Sequence, residues 1–497
     1  MKLTRIVRVA SASVLCLALC GTALAGKKTK QVSAAVPAQF STASAQQTPK
    51  DAALLAEWWK NFEDPELQSL IQQAIAGNLD VRVARAKLLE SRSTLRNTRS
   101  ANQLPTVNLD ASYAHSRTSA DNAQVLTLGG TQTTVPYVYG NYQAYFDASY
   151  ELDLFGGVRN SVKATRADAI ASADDVRNTL VSTLAEVAKD YIQLREYQQQ
   201  LQIAREQETS QKDTLHITEV RSQAGLVSDL DVANARATVS STQSTVPQLE
   251  SKISQQMHAL ALLVGKTPSE LNAELTSVKT VPMAITEIPA GLPSELLRRR
   301  PDVREAESNV QAAAARVGVQ VSKLFPSITL TAEYGGQSGS SIVNLANSAA
   351  RFYSIGPTIQ WGLLNYPALK ANIRTYEAKR DQKVLTYQKT VLTAFQEVED
   401  ALTAYDKEKQ RERILQTEVE QYQRASSLAL SKYTRGLTNF LDVLEAQRSL
   451  FTAQDSLAQS RAAVQTDLIS LYKALGGGWE KNDPVIATGT MKTANGQ

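Results

Sequence analysis

The sequence predicts an all-α dominated chain with membrane β-structure and an internal two-fold repeat, and three observations predict it. Two runs, from Gly157 to Gly225 and from Pro367 to Gly436, hold neither glycine nor proline between their end points, as long helices require. Four short stretches alternate apolar and polar residues, as two-faced strands do. The chain also overlays on itself: "AGLVSDLDVANA" (224–235) aligns with "RGLTNFLDVLEA" (435–446) at an offset of 211 residues, Gly225 to Gly436, which implies two similar halves.

Residues 1–25 carry the parts of a secretory signal: a basic start, "MKLTRIVR", an apolar stretch, "VASASVLCLALC", and "ALA" at 23–25 before Gly26. Both cysteines, Cys16 and Cys20, lie inside it, so the mature chain has no thiol and no disulfide. Cys20 before Gly21 offers the alternative of a lipid-modified first residue. Leu19 is bulky where such signals carry a small side chain, whereas Ala23 and Ala25 suit ordinary cleavage. Residues 26–50 read as a flexible N-terminal segment. The formal charge of +4 includes Lys2, Arg5 and Arg8, so the mature protein is close to neutral and nothing calls for nucleic acid. No later stretch approaches the roughly 20 apolar residues of a spanning helix, so a membrane would be entered with strands.

The first repeat, 51–277, reads as a helix, strands at about 105–115 and 143–155, and a long helical hairpin with its tip near 225. The second, 278–477, reads as a helix, strands at about 326–335 and 352–363, and a hairpin with its tip near 436, followed by a C-terminal tail, 478–497. The offset of 211 also pairs Gly265 with Gly476, Thr179 with Thr390 and Glu186 with Glu397. Upstream, "LPTVNLDASY" resembles "FPSITLTAEY". Pro301-Asp302 in "RRRPDVRE" has the form of a helix start with proline in the first turn rather than a phosphate patch.

The strands set the environment. Val107, Leu109, Ala111 and Tyr113 alternate with Asn108, Asp110 and Ser112; Phe146, Ala148, Tyr150, Leu152 and Leu154 alternate with Asp147, Ser149, Glu151 and Asp153. Ile328, Leu330, Ala332 and Tyr334 make the third apolar face, and Tyr353, Ile355, Ile359, Trp361 and Leu363 the fourth. Nine to twelve residues suit a tilted strand crossing a bilayer. The loops at 115–141 and 335–350 are long and polar, while the other strand ends run straight into helices. Four strands cannot close a barrel, and an open edge in lipid leaves backbone groups unpaired. Two copies would supply eight strands, a filled barrel; three would supply twelve, the smaller assembly that leaves a hole.

The motifs "WWKNFEDPELQSLIQQAIAGNLDV" (58–81), "YELDLFGGVR" (150–159), "GLPSELLRRRPDVREAE" (291–307), "TVLTAFQEVEDAL" (390–402) and "LYKALGGGW" (471–479) resemble the outer membrane efflux proteins, TolC-like, of the NodT/OprM type. The resemblance implies a homotrimer: a twelve-stranded barrel, four strands per chain, in the outer membrane, continued by an α-helical barrel across the periplasm with an equatorial belt around it. It implies a passive exit duct of a tripartite efflux pump for drugs and other small toxic molecules. The partners implied are a periplasmic adaptor, an inner-membrane efflux transporter and outer membrane lipid. A duct for secreted proteins and a soluble periplasmic coiled-coil scaffold are the competing readings.

"NFLDVLEAQR" (439–448) follows the breaking Gly436, and Asp442 and Glu445, three apart, share one helical face. Three-fold symmetry would make them two rings of carboxylates, able to attract cations and to be pinned by arginines. They match the acidic gate of TolC-like proteins, and Leu441, Glu445 and Arg448 match the constriction of the OprM type. The plainer alternative is first-turn carboxylates favoured by the helix dipole. Asp231 in the first repeat has Asn234 where Glu445 falls, so one hairpin carries the full pair. The tips at Gly225, Leu226, Gly436 and Leu437 are the implied docking surface for the adaptor.

Enzymatic readings find no support. His115, His216 and His258 are scattered, and "GGQSG" and "LGGGW" lack the lysine and hydroxyl residue of a phosphate loop. Met257 and Met283 stand alone, so neither a metal nor another cofactor is expected.

Overall fold

Residues 55–117, 119, 125–128, 131–134, 138–284, 299–481 and 483 are described by a computed structural model. The signal at 1–25 with Cys20, the segment 26–50 and residues 484–497 lie outside them. Helix α1 (Pro65–Gly77) starts because Asp64 accepts the N–H groups of Glu66 at 2.8 Å and Leu67 at 3.1 Å, with Pro65 pre-set for the first turn. Its buried Leu67, Leu70, Ile71 and Ala74 recur at helical spacing. Asn78 then caps α2 (Leu79–Gln103) through the N–H of Val81, and Val81, Ala84 and Leu88 turn inward.

Four long strands, β1 (Thr106–Arg117), β4 (Val138–Glu151), β5 (Ser327–Ser338) and β6 (Arg351–Gln360), form an antiparallel sheet in the order β1-β4-β5-β6. Register fixes its two faces. Val107, Ala148, Ala332 and Ile355 stand in one row, and Asn108, Asp147, Glu333 and Ser354 in the next. The apolar face is uncovered: Val107 is 60% exposed, Leu109 65% and Ile355 70%, an arrangement water does not tolerate over a whole sheet. The outer edges of β1 and β6 have no partner strand among the described residues. Within 115–141, read as a loop from sequence, a small hairpin pairs β2 (Val125–Leu128) with β3 (Thr131–Thr134).

Alternation predicts the second strand through Phe155, but β4 ends at Glu151. Asp153 is drawn off the sheet because its carboxylate accepts the N–H groups of Val158 at 3.2 Å and Arg159 at 2.9 Å, satisfying the first turn of the next helix. That helix, α3 (Gly157–Gln223), has 67 residues and so runs about 100 Å. It returns as α4 (Asp229–Val264), followed by the short α5 (Pro268–Leu275). In the second half α6 (Pro301–Ser322) leads to β5, and β6 leads through a 3-10 turn at Leu363–Asn365 into α7 (Tyr366–Thr434, 69 residues) and α8 (Phe440–Ala474). Beside the sheet α2 packs on α3, α3 on α6 and α6 on α7; towards the far ends α4 packs on α3, α8 on α7, and α8 on α3. None of the described helices is long and apolar enough to cross a membrane.

Several of the largest buried side chains gather around the middle of α3. Trp58 stacks on Tyr472 at 5.3 Å, Tyr191 donates its hydroxyl to Asp64 at 2.7 Å, and the buried Arg195 bonds Glu66 at 2.6 Å and the Ser277 carbonyl at 2.7 Å. The predicted tail at 478–497 begins as part of this body: the guanidinium groups of Arg177 and Arg304 lie against the Trp479 ring, at 5.0 and 5.4 Å, and Asp483 pairs with Arg177 at 2.7 Å.

Candidate functional site at the helical tips

Both long helices stop on a glycine whose backbone is left-handed, φ +74° at Gly225 and +75° at Gly436. The turns are closed in the same way. Leu226 N–H donates to Arg221 O and Leu437 N–H to Lys432 O, each at 2.9 Å, while Gly225 and Gly436 bond the carbonyls of Ser222 and Tyr433. The return helices begin on side-chain caps. Ser228 and Asp231 form a reciprocal capping box, and Asn439 Oδ1 accepts the N–H of Asp442 at 3.0 Å. At the apex Leu226 is 67% and Leu437 71% exposed, two apolar side chains held out on rigid turns.

Beyond the turn, Phe440, Val443 and Gln447 are buried, while Leu441, Asp442, Glu445 and Arg448 are exposed. Spacing alone places Asp442 and Glu445 on one side of α8, and Leu441, Glu445 and Arg448 along it. The Thr438 hydroxyl donates to the Asp442 carboxylate, so this residue also serves the turn, as the dipole argument anticipates. In the first hairpin Asp231 is taken into its capping box in the same way.

Sequence reading missed the seam that joins the two hairpins. Gln207, Gln211, Thr214 and Thr218 are buried along α3 at spacings of four, three and four residues. Gln447 donates to Thr214 Oγ1 at 2.9 Å and accepts from Gln207 through its carbonyl at 3.4 Å, and the Tyr433 hydroxyl donates to Thr218 at 3.3 Å. One turn on, Arg221 donates to the carbonyls of Tyr433 at 2.7 Å and Thr434 at 3.2 Å, with its guanidinium 4.8 Å from the Tyr433 ring. Ala235, Tyr433, Phe440 and Val443 form a small apolar knot beside it. Nearer the sheet the same helix buries Leu180, Leu184, Val187, Tyr191 and Leu194 instead. The tips are therefore joined by a few neutral hydrogen bonds that water can replace, at about 1 kcal/mol net each, by the stronger bonds of Arg221 and by one small apolar knot, whereas the upper part is locked by extensive apolar burial. Polar residues at seam spacing over 207–218 were the signal available in the sequence.

Partway along the hairpins, burial pushes the Glu196 carboxyl up to about 7; the Gln193 amide, 2.6 Å away, and Lys252 oppose the shift, and Asp455 across the seam adds repulsion. Asp455 is itself raised, again chiefly by burial. Among the described residues no group of histidine, cysteine and carboxylate side chains is placed to hold a metal ion.

Comparison with known proteins gives the family context. The family described as "Outer membrane efflux protein" matches residues 70–266 and 292–477. The solvent efflux pump outer membrane protein SrpC of Pseudomonas putida is 35% identical over 425 residues, 84% of this chain and 86% of that protein. The pyoverdine export outer membrane protein OpmQ of Pseudomonas aeruginosa is 32% identical over 438 residues, 88% of this chain and 90% of that one. Among solved structures the outer-membrane channel OprN superposes with a TM-score of 0.83 at 32% identity, over 90% of this chain and 98% of that one.

Proposed function

Because this chain belongs to the outer membrane efflux protein family, we propose that three copies build one continuous duct through which an efflux pump empties across the outer membrane. The four-stranded sheet of each copy supplies a third of a twelve-stranded barrel, with β1 of one copy meeting β6 of the next. The α3/α4 and α7/α8 hairpins continue the wall into the periplasm as a helical barrel, and the repeat in the sequence gives each copy two equivalent hairpins. The observation that carries this reading is the sheet: one wet face, one exposed apolar face, two edges with no partner strand among the described residues, and strand ends that lead into helices. A chain with those features is complete only beside copies of itself in lipid.

The periplasmic tips are the gate in this reading. Asp442 and Glu445 form carboxylate rings at the constriction, with Leu441 and Arg448 beside them, and the exposed Leu226 and Leu437 beside Gly225 and Gly436 receive the adaptor. The duct is passive and takes its cargo from an adaptor and an inner-membrane transporter. Relatives are named for solvent, toluene and pyoverdine export, and small organic molecules are the cargo proposed here. The test is single-channel recording of the purified protein in planar lipid. D442N/E445Q should raise conductance and relieve block by multivalent cations; wild-type conductance and block in that variant would refute the gate, and no pore at all would refute the duct.

A further inference from the structure

Where the long strands end on the periplasmic side, apolar and aromatic side chains stand exposed: Leu104 before β1, Phe155 after β4, Trp361 and Tyr366 after β6. Such a girdle marks the level at which hydrocarbon gives way to headgroups. Just past it the charge becomes one-sided. Stretches 92–105, 152–166, 316–326 and 361–374 hold three, three, two and two lysines or arginines; their one carboxylate, Asp153, is taken by the start of α3 and by Arg159, and just beyond them Asp168 pairs with Arg316, so the excess is carried by the remaining cations. The whole chain carries 53 basic against 49 acidic residues, so the excess is local. These stretches are far apart in sequence and come to one level only because each adjoins a strand of the same sheet.

The axial distance fits a phosphate layer. At 1.5 Å per residue, Arg99, Lys163 and Lys370 stand about 6–12 Å beyond the nearest girdle residue, the depth of the headgroup region outside the hydrocarbon. On α3, Arg159, Lys163, Arg166 and Ile170 follow at four-three-four spacing and are all exposed, while the opposite side carries the short Ser161, Thr165 and Ser172. α3 packs between α2 and α6 and continues from β4, an interior strand of the sheet, so this row stands away from the β1 and β6 edges at which the proposed copies meet. We propose that this basic collar binds the anionic headgroups of phospholipids in the periplasmic leaflet and holds the channel at a fixed depth. The proposal rests on the membrane-embedded reading of the sheet.

Trp361 provides a probe that separates the two. It is 55% exposed in the girdle, whereas Trp58 and Trp59 are buried and Trp479 is packed against two arginines. The full-length protein is reconstituted in vesicles containing either brominated phosphatidylcholine or brominated phosphatidylglycerol, and tryptophan quenching is titrated. Both lipids should quench, phosphatidylglycerol at a mole fraction lower by at least about fivefold, the effect of one cation near an anionic surface. Salt at about 0.5 M and the triple substitution K163Q/R166Q/K323Q should each erase that preference. No quenching by either lipid would refute the embedded sheet. Equal quenching by both would refute the collar alone. A triple variant that keeps the lipid preference but alters ion selectivity would put these cations in the tunnel and overturn the proposal. Should the variant fail to assemble, the salt dependence of the wild type decides.

Discussion

Replacing Arg221 with alanine should loosen the helical tips without disturbing the four-stranded sheet. The guanidinium bonds two carbonyls at the C-terminal end of α7, at 2.7 and 3.2 Å, and lies 4.8 Å from the Tyr433 ring. A charge-assisted hydrogen bond contributes about 1.5–3 kcal/mol and a cation–π contact at a partly exposed site about 0.5–1 kcal/mol. Arg221 is half-buried and the second bond is long, so about 2–3 kcal/mol per copy is the reasonable total, a shift of about 30- to 150-fold in the balance between joined and separated hairpins. Planar-lipid recordings should show larger conductance and longer open periods. R221K, which keeps the charge but loses the planar fork, should fall between the two. An R221A channel with wild-type conductance, in cells of unchanged drug sensitivity, would refute the view that this contact holds the hairpins together.

Three further changes have defined outcomes. In the folded protein Glu196 holds its proton up to about pH 7, whereas the unfolded chain releases it in the ordinary glutamate range, so ionisation opposes folding increasingly as pH rises between those values. E196Q should therefore match the wild type near about pH 4 and be more stable above about pH 8, by up to about 3 kcal/mol; an equal effect on Tm at both pH values would contradict this. D153A removes the acceptor for two N–H groups at the start of α3 and should lower the Tm by an amount corresponding to about 1–2 kcal/mol, with D153N milder. Asp147 and Glu333 stand directly opposite each other on the wet face, so E333Q should relieve about 0.2–1 kcal/mol of repulsion and reduce cation preference in reversal-potential measurements.

Much of this architecture was legible in the sequence because it depends on simple periodicities. Alternation identified the four long strands, since a sheet with one wet and one apolar face admits no other pattern, and the glycines at 225 and 436 identified the tips because only the left-handed turn needs them there. Alternation failed at Asp153, whose place in the pattern is right but whose carboxylate gains more from α3 than from the sheet. The hairpin of β2 and β3 corresponds to "VLTLGGTQTT", two runs of four residues around Gly-Gly, too short for alternation to set them apart from the polar residues around them. The seam at Gln207, Thr214 and Thr218 escaped because polar residues at core spacing look like solvent-facing ones until their partners on the other hairpin are known. The packing of Arg177 and Arg304 against Trp479 joins residues about 300 and 175 positions apart, which no local pattern encodes.

In the three-copy assembly proposed above, the edges of β1 and β6, which have no partner strand among the described residues, carry a genetic consequence. A copy with a ruined edge strand still offers one sound edge, so it can be recruited beside healthy siblings and spoil the ring it joins. With equal expression of healthy and damaged alleles, random mixing leaves roughly one ring in eight free of damaged copies. Edge-strand lesions in this protein should therefore behave as dominant alleles, whereas lesions that prevent the chain from folding at all should be recessive.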